Sequence, residues 1–188
     1  MQTILLQDGQ LRYQSDFVMC PDKLYQTLVE TLNWQQGHIK LFGKSHQIPR
    51  LQCWYGDKAY RYSNTTLQPV PMPENLVLIK QQIETLLETE FNSVLGNWYQ
   101  TGQHGMGFHS DNEPELGQSP TIAMVTLGAE RILHFKHNTA QARFKLAPQN
   151  GSLLVMEGAL QQHWKHGVNK SARDWPGRIT LTFRHILN

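Results

Sequence analysis

A chain of 188 residues, 39% hydrophobic and 17% charged, suits one globular domain that needs no disulfide or metal staple, and no apolar run is long enough to span a bilayer. Met1 to Gln10 lack the basic start and apolar core of a secretory signal, and Cys20 and Cys53 alone form neither a disulfide framework nor a zinc site, so a reducing cytoplasm is expected. The net charge is only +2, yet between His38 and Tyr62 five cations, Lys40, Lys44, Arg50, Lys58 and Arg61, meet one acid, Asp57.

In chain order, the first expected element is a helix after Pro21, with Leu24, Leu28 and Leu32 four apart and Pro21 suited to its first turn. In the basic segment, Leu51, Cys53 and Tyr55 alternate as in a strand, and Gly56-Asp57 offers a tight turn before Tyr60 and Tyr62. With Phe42, Trp54, Tyr55, Tyr60 and Tyr62 among its cations, the segment could grip phosphates and stack bases; a half-buried hairpin with a solvated basic face accounts for the same pattern. A second helix runs from about Pro73 to Glu90, with Leu76, Ile79, Ile83, Leu86 and Leu87 as its apolar stripe and Lys80 and Glu84 toward solvent. Strands follow at 94–99, 122–127, 131–136, 143–146, 152–156 and 178–186, punctuated by Gly and Pro. The fold class is mainly β with flanking helices, a jelly roll or double-stranded β-helix.

Three constellations can do chemistry. His109-Ser110-Asp111 places an imidazole and a carboxylate two apart, on one face if a strand carries them. Together they make two-thirds of the 2-His-1-carboxylate set of non-haem iron(II) oxygenases, though such a triplet also arises often by chance. A distal histidine must complete the set, and His163 and His166 both qualify. Arg178, Thr180, Thr182 and Arg184 share one strand face, which is costly to bury unless it meets an anion such as a dicarboxylate. An amphipathic strand with one wet face is the plain alternative. The glycines from Gly102 to Gly107 lack the lysine and spacing of a phosphate loop and read as the turn that delivers His109.

Taken in order, these motifs resemble the AlkB family of oxidative nucleic-acid demethylases. Asn97 and Tyr99 ahead of the first histidine, Ser119-Pro120 with Ile122, Leu127-Gly128-Ala129 with Arg131, and the run from Gly151 to Met156 extend the resemblance from about Ile39 to Ile186. The stretch from Phe42 to Arg50 and Tyr55-Gly56-Asp57 are most similar to the branch of animal homologues that repair double-stranded DNA. The resemblance implies a single dioxygenase domain over 1–188, with a nucleotide-recognition lid at 38–62. It implies Fe(II) on His109, Asp111 and His166, chosen over His163 because it directly precedes Gly167-Val168. It further implies 2-oxoglutarate held by Asn97, Tyr99, Arg178, Thr182 and Arg184, with Arg178 at the distal carboxylate, and O2 as oxidant. Thr180 departs from the asparagine common in the family. Substrate contacts are implied for Phe42, Gly43, Lys44, Tyr60, Arg61, Tyr62, Asn112 and Glu113, with Phe42 probing the base stack and Glu113 meeting the base's exocyclic amino group. The implied reaction removes N-alkyl groups from DNA bases, releasing aldehyde, succinate and CO2. The expected protein is a monomer with no membrane partner. An RNA demethylase, a small-molecule or protein hydroxylase of this fold, and a non-catalytic jelly-roll module are the alternatives.

Overall fold

Alternating and fully apolar short segments dominate the chain, so most of it pairs as antiparallel strands. The computed structural model describes residues 1–41, 44–62 and 65–187, with the backbone alone at 39–41, 44, 45, 61, 62, 65 and 66. Phe42 and Gly43 lie outside the described residues. The elements are β1 (Gln2–Leu6), β2 (Gly9–Gln14), α1 (Pro21–Thr31), β3 (Gln35–Leu41), β4 (Lys44–Gly56), β5 (Tyr60–Tyr62), β6 (Thr65–Leu67), α2 (Glu74–Leu87) and β7 (Ser93–Tyr99). After them come β8 (Met106–His109), β9 (Ile122–Gly128), β10 (Leu133–His137), β11 (Arg143–Leu146), β12 (Ser152–Glu157), α3 (Leu160–His163), β13 (Trp164–Val168) and β14 (Arg178–Arg184).

Eight strands form a major sheet in the order β1-β2-β12-β9-β14-β7-β4-β3, and four form a minor sheet in the order β11-β10-β13-β8. Two core layers follow from the period of two. Ile179, Leu181 and Phe183 of β14 pack with Leu28 of α1 and Leu76, Ile79 and Ile83 of α2, on the outside of the major sheet. Leu95, Met124 and Met156 meet Leu133, Phe135, Trp164 and Val168 between the two sheets. All seven residues of β14 are buried, so Arg178, Thr180, Thr182 and Arg184 are forced into the layer between the sheets. Gly128 closes β9 at φ 81°, and a Cβ there would stand 2.3 Å from the Gly177 carbonyl oxygen, so only glycine fits. No helix of the described residues is long and apolar enough to cross a membrane.

Several elements differ from expectation. Tyr60–Tyr62 pairs with β6 rather than folding back on β4 across Gly56-Asp57, because Gly56 instead bridges to Val70. The strand expected at 131–136 begins at Leu133, since the Arg131 guanidinium turns away to bind the carbonyls of Thr101, Gly102 and Asn169. Leu86 leaves the α2 stripe and is 43% exposed, while Leu76, Ile79, Ile83 and Leu87 are buried. The β1–β2 hairpin was not foreseen. It extends the major sheet through β12, and its turn is held by Trp164 Nε1, which donates to the Gln7 carbonyl.

Candidate active site

Cross-strand register builds the centre of the site. His109 at the end of β8 is the direct partner of His166 on β13, so both imidazoles point into the layer between the sheets, with ring centroids 4.3 Å apart. Asp111 does not share a strand with His109 as expected, because β8 ends at His109. Two other contacts aim it instead. Its backbone N–H donates to Gln161 Oε1 at 3.0 Å, and its Oδ1 accepts from Arg184 Nη2 at 2.9 Å. The result is three potential ligand atoms, from His109, Asp111 and His166, all within 4.8 Å of one another.

Protonation suits a metal ion. The ring nitrogen His109 Nδ1 lies 3.0 Å from the Gly107 carbonyl, which can only accept. The proton is therefore on Nδ1, and Nε2, facing Asp111, keeps its lone pair. Burial, and next His109, hold His166 neutral, with its pKa down to about 3. Burial alone would raise the Asp111 carboxyl, but Arg184 and the two histidines more than reverse this, bringing it to about 2. A neutral His166 and an ionised Asp111 need lose no further proton to bind a divalent cation. Asp111 Oδ2 is buried with no hydrogen-bond partner among the described residues.

The cavity that begins at this triad continues past Leu95, Asn97 and Thr182 to Tyr99, Thr180 and Arg178. Arg178 is fully buried, and among the described residues no carboxylate forms an ion pair with it. It donates only to the Arg131 carbonyl and Thr126 Oγ1, its Nε has no partner among the described residues, and burial pulls its pKa down to about 10. An uncompensated guanidinium in such a place is what a bound carboxylate would satisfy. Asn97 Oδ1 already accepts from Arg50 Nε at 2.6 Å and Gln52 Nε2 at 2.9 Å, which leaves its amide NH2 as the group free to donate. Thr180 lines the same cavity as Thr182. The donor set therefore fits both a divalent metal and a dicarboxylate.

The expected substrate residues are placed as follows. Tyr60 is fully buried and stacked on Trp54 at 5.1 Å, with the Glu113 carboxyl close enough to act on its hydroxyl. Glu113 is half-buried, and burial, with Asp111 nearby, raises its carboxyl pKa. Asn112 is exposed. The backbone of Lys44 opens β4, and that of Arg61 and Tyr62 lies in β5. Sequence reasoning passed over Arg50 and Gln161 as site residues. Each acts 47 or 50 residues from its own partner, so although Arg50 closes the stretch that begins at Phe42, nothing local marks the contact either one makes.

His163 takes a different place. It stacks on His137 at 5.9 Å and forms, with Asp8, a second group of close ligand atoms. That group is poorly suited to a metal. The backbone N–H groups of Thr139 and Ala140 point at His137 Nδ1, so its proton sits on Nε2 and is donated to Asp8 Oδ2 at 3.2 Å. The cluster ties the β1–β2 turn to β10.

The family model described as the 2OG-Fe(II) oxygenase superfamily matches residues 21–184. The chain is 35% identical over 175 residues to the Bos taurus alpha-ketoglutarate-dependent dioxygenase alkB homolog 3, covering 88% of this chain and 61% of that protein's length. It is 33% identical over 179 residues to the Mus musculus DNA oxidative demethylase ALKBH2, covering 88% of this chain and 75% of the relative. The solved structure of OsALKBH1 superposes with a TM-score of 0.64 over 98% of this chain and 100% of that one, at 18% identity, a likeness of fold.

Proposed function

The chain belongs to the 2OG-Fe(II) oxygenase superfamily, and from that premise we propose that it uses Fe(II), 2-oxoglutarate and O2 to remove alkyl groups oxidatively from nucleic-acid bases, with DNA as substrate. One observation carries the chemistry: the convergence of His109, Asp111 and His166 at one end of a cavity whose other end holds a buried guanidinium that has no carboxylate partner among the described residues. DNA is favoured by the similarity to a relative named as a DNA oxidative demethylase. When bound, the iron and 2-oxoglutarate supply the oxidation of the N-alkyl carbon, with aldehyde, succinate and CO2 as products.

The chain's own residues bind and orient. His109 Nε2, the Asp111 carboxylate and His166 hold the metal, and Gly107 and Gln161 fix the first two in place. Arg184 keeps Asp111 ionised and stands at the metal end of the cavity. Arg178 takes the distal carboxylate, beside the Thr180 and Thr182 hydroxyls, Tyr99 and the Asn97 amide. A target base must leave its stack to reach so enclosed a centre.

The direct test is turnover of methylated single- and double-stranded DNA and RNA oligonucleotides, with formaldehyde and succinate measured together. Equal yields of both products from DNA are expected. A preference for RNA would reassign the substrate, and succinate without formaldehyde on every oligonucleotide would overturn the demethylase reading. Arg178→Lys should raise the 2-oxoglutarate requirement while metal binding persists, because losing a bidentate contact to a buried carboxylate costs on the order of 2–4 kcal/mol. An unchanged cosubstrate titration would remove Arg178 from this role.

A further inference from the structure

The outer face of the minor sheet carries a charge arrangement that neither the fold nor the metal site requires. Register makes Arg143 of β11 the direct partner of Lys136 of β10, and Lys136 the direct partner of Lys165 of β13. Three cations therefore stand in one row across three strands, and all three are exposed. In the adjacent row Lys145 opposes His134. Like charges directly opposite in an antiparallel sheet destabilise it. Nothing local offsets this: the four strands of the sheet contain no Asp or Glu. Among the described residues, none of Lys136, Arg143, Lys145 and Lys165 forms an ion pair.

Two ordinary explanations fall short. Lysines often guard exposed sheet edges against pairing with other chains. That accounts for Arg143 and Lys145 on the edge strand β11, but Lys136 and Lys165 stand on the inner strands β10 and β13. A merely solvated face would carry both signs, as the rest of this nearly neutral chain does. Strands in a sheet lie about 4.8 Å apart, so the row is a cationic strip about 10 Å across with a regular step. It begins on the strand of the metal site, since Lys165 directly precedes His166 with its side chain on the opposite face.

We propose that this strip docks the phosphodiester backbone of the nucleic-acid strand, on nucleotides flanking the one whose base enters the cavity. Regularly spaced phosphates are the complement of a regularly spaced, single-sign row, and their binding relieves the repulsion within it. The proposal rests on the nucleic-acid reading of the cavity and adds a second point of attachment outside it.

The test compares the full chain with a variant carrying Lys136→Gln, Arg143→Gln and Lys165→Gln. The probes are an unmodified single-stranded 15-mer for binding, and a methylated 15-mer and methylated trinucleotide for turnover. Each phosphate contact on a single strand contributes about 0.7 to the slope of log affinity against log salt. The variant should therefore lose about 2 from that slope, so that raising salt from about 50 to 200 mM weakens it about twentyfold less than the parent. Its KM should rise on the 15-mer and stay unchanged on the trinucleotide, with kcat and the 2-oxoglutarate requirement retained. Its thermal stability without ligand should match or exceed the parent's. An unchanged slope and KM in the folded variant overturns the strip, as does an equal KM rise on the trinucleotide. Strip-dependent binding to phosphatidylserine vesicles but not to the 15-mer overturns it as well. If the parent binds the 15-mer through the strip but turns over no methylated oligonucleotide, the demethylase reading fails and the strip stands.

Discussion

Which nitrogen of an imidazole carries the proton decides whether that histidine can take a metal. His109 gives its Nδ1 proton to the Gly107 carbonyl and turns a bare Nε2 toward Asp111, whereas His137 accepts at Nδ1 and spends its Nε2 proton on Asp8. His163 stacks on the second of these, and His166 pairs in register with the first. A Co(II) titration should thus lose its ligand-field spectrum in His166→Ala and keep it in His163→Ala; the reverse pattern would exchange their roles. Spacing alone left the two histidines open, because they are three residues apart and only the pairing of β13 with β8 separates their directions. The cysteines give a second residue-scale test. Burial pushes the Cys53 thiol up to about 12, and its Sγ would stand 2.5 Å from a Cβ placed at Gly96, while Cys20 is exposed. Iodoacetamide at pH 8 should modify one cysteine in the native protein and both after denaturation. Rapid modification of both in the native state would mean that the contact between β4 and β7 opens readily.

At the scale of elements, what sequence revealed depended on whether a segment's pattern was local. The sheet strands β9, β12 and β14 and both long helices declare themselves by apolar period, and they appear within a few residues of their expected bounds. The short strands did not. β8 has four residues, and its register comes from β13, so the sequence suggested one strand through Asp111 where β8 in fact ends at His109. The tight turn at Gly56-Asp57 had the right residues for a hairpin, but Val70 competes for the same backbone groups. One junction is strained. Cys20, immediately before α1, is in the left-handed region at φ 52° and makes no side-chain cap. Glycine adopts that conformation without the Cβ clash, so Cys20→Gly should stabilise the fold by about 0.5–1 kcal/mol. In a domain of this size that is a rise in Tm of about 1–4 °C. A fall would indicate that the Cys20 side chain contributes packing that offsets the strain.

For the whole molecule, the layer between the sheets combines an apolar core with a polar cavity at its centre, and the two have opposite effects on stability. The apolar side chains from both sheets drive the layers together, while Arg178 is carried into the same layer fully buried and, among the described residues, without a counter-charge. The order of motifs on β7, β8, β13 and β14 made that cavity legible in the sequence. Its cost was not legible, because the cost depends on what surrounds the guanidinium. A buried charge without a partner destabilises the folded chain, and anything that supplies the partner restores stability in proportion to its occupancy. Replacing Arg178 by a side chain of similar length and no charge should therefore separate folding from function. Arg178→Met is expected to raise the Tm of the ligand-free protein, by an amount corresponding to about 1–3 kcal/mol. The parent's Tm should climb when 2-oxoglutarate is added with Mn(II), by RT ln(1 + [L]/Kd), or about 2.7 kcal/mol at a hundredfold excess over Kd. The variant should show almost none of the shift from 2-oxoglutarate and retain the shift from Mn(II) alone, since His109, Asp111 and His166 lie at the other end of the cavity. If Arg178→Met instead lowers the Tm, the hydrogen bonds to Thr126 and the Arg131 carbonyl outweigh the buried charge. If the variant keeps the full response to 2-oxoglutarate, the dicarboxylate is held elsewhere.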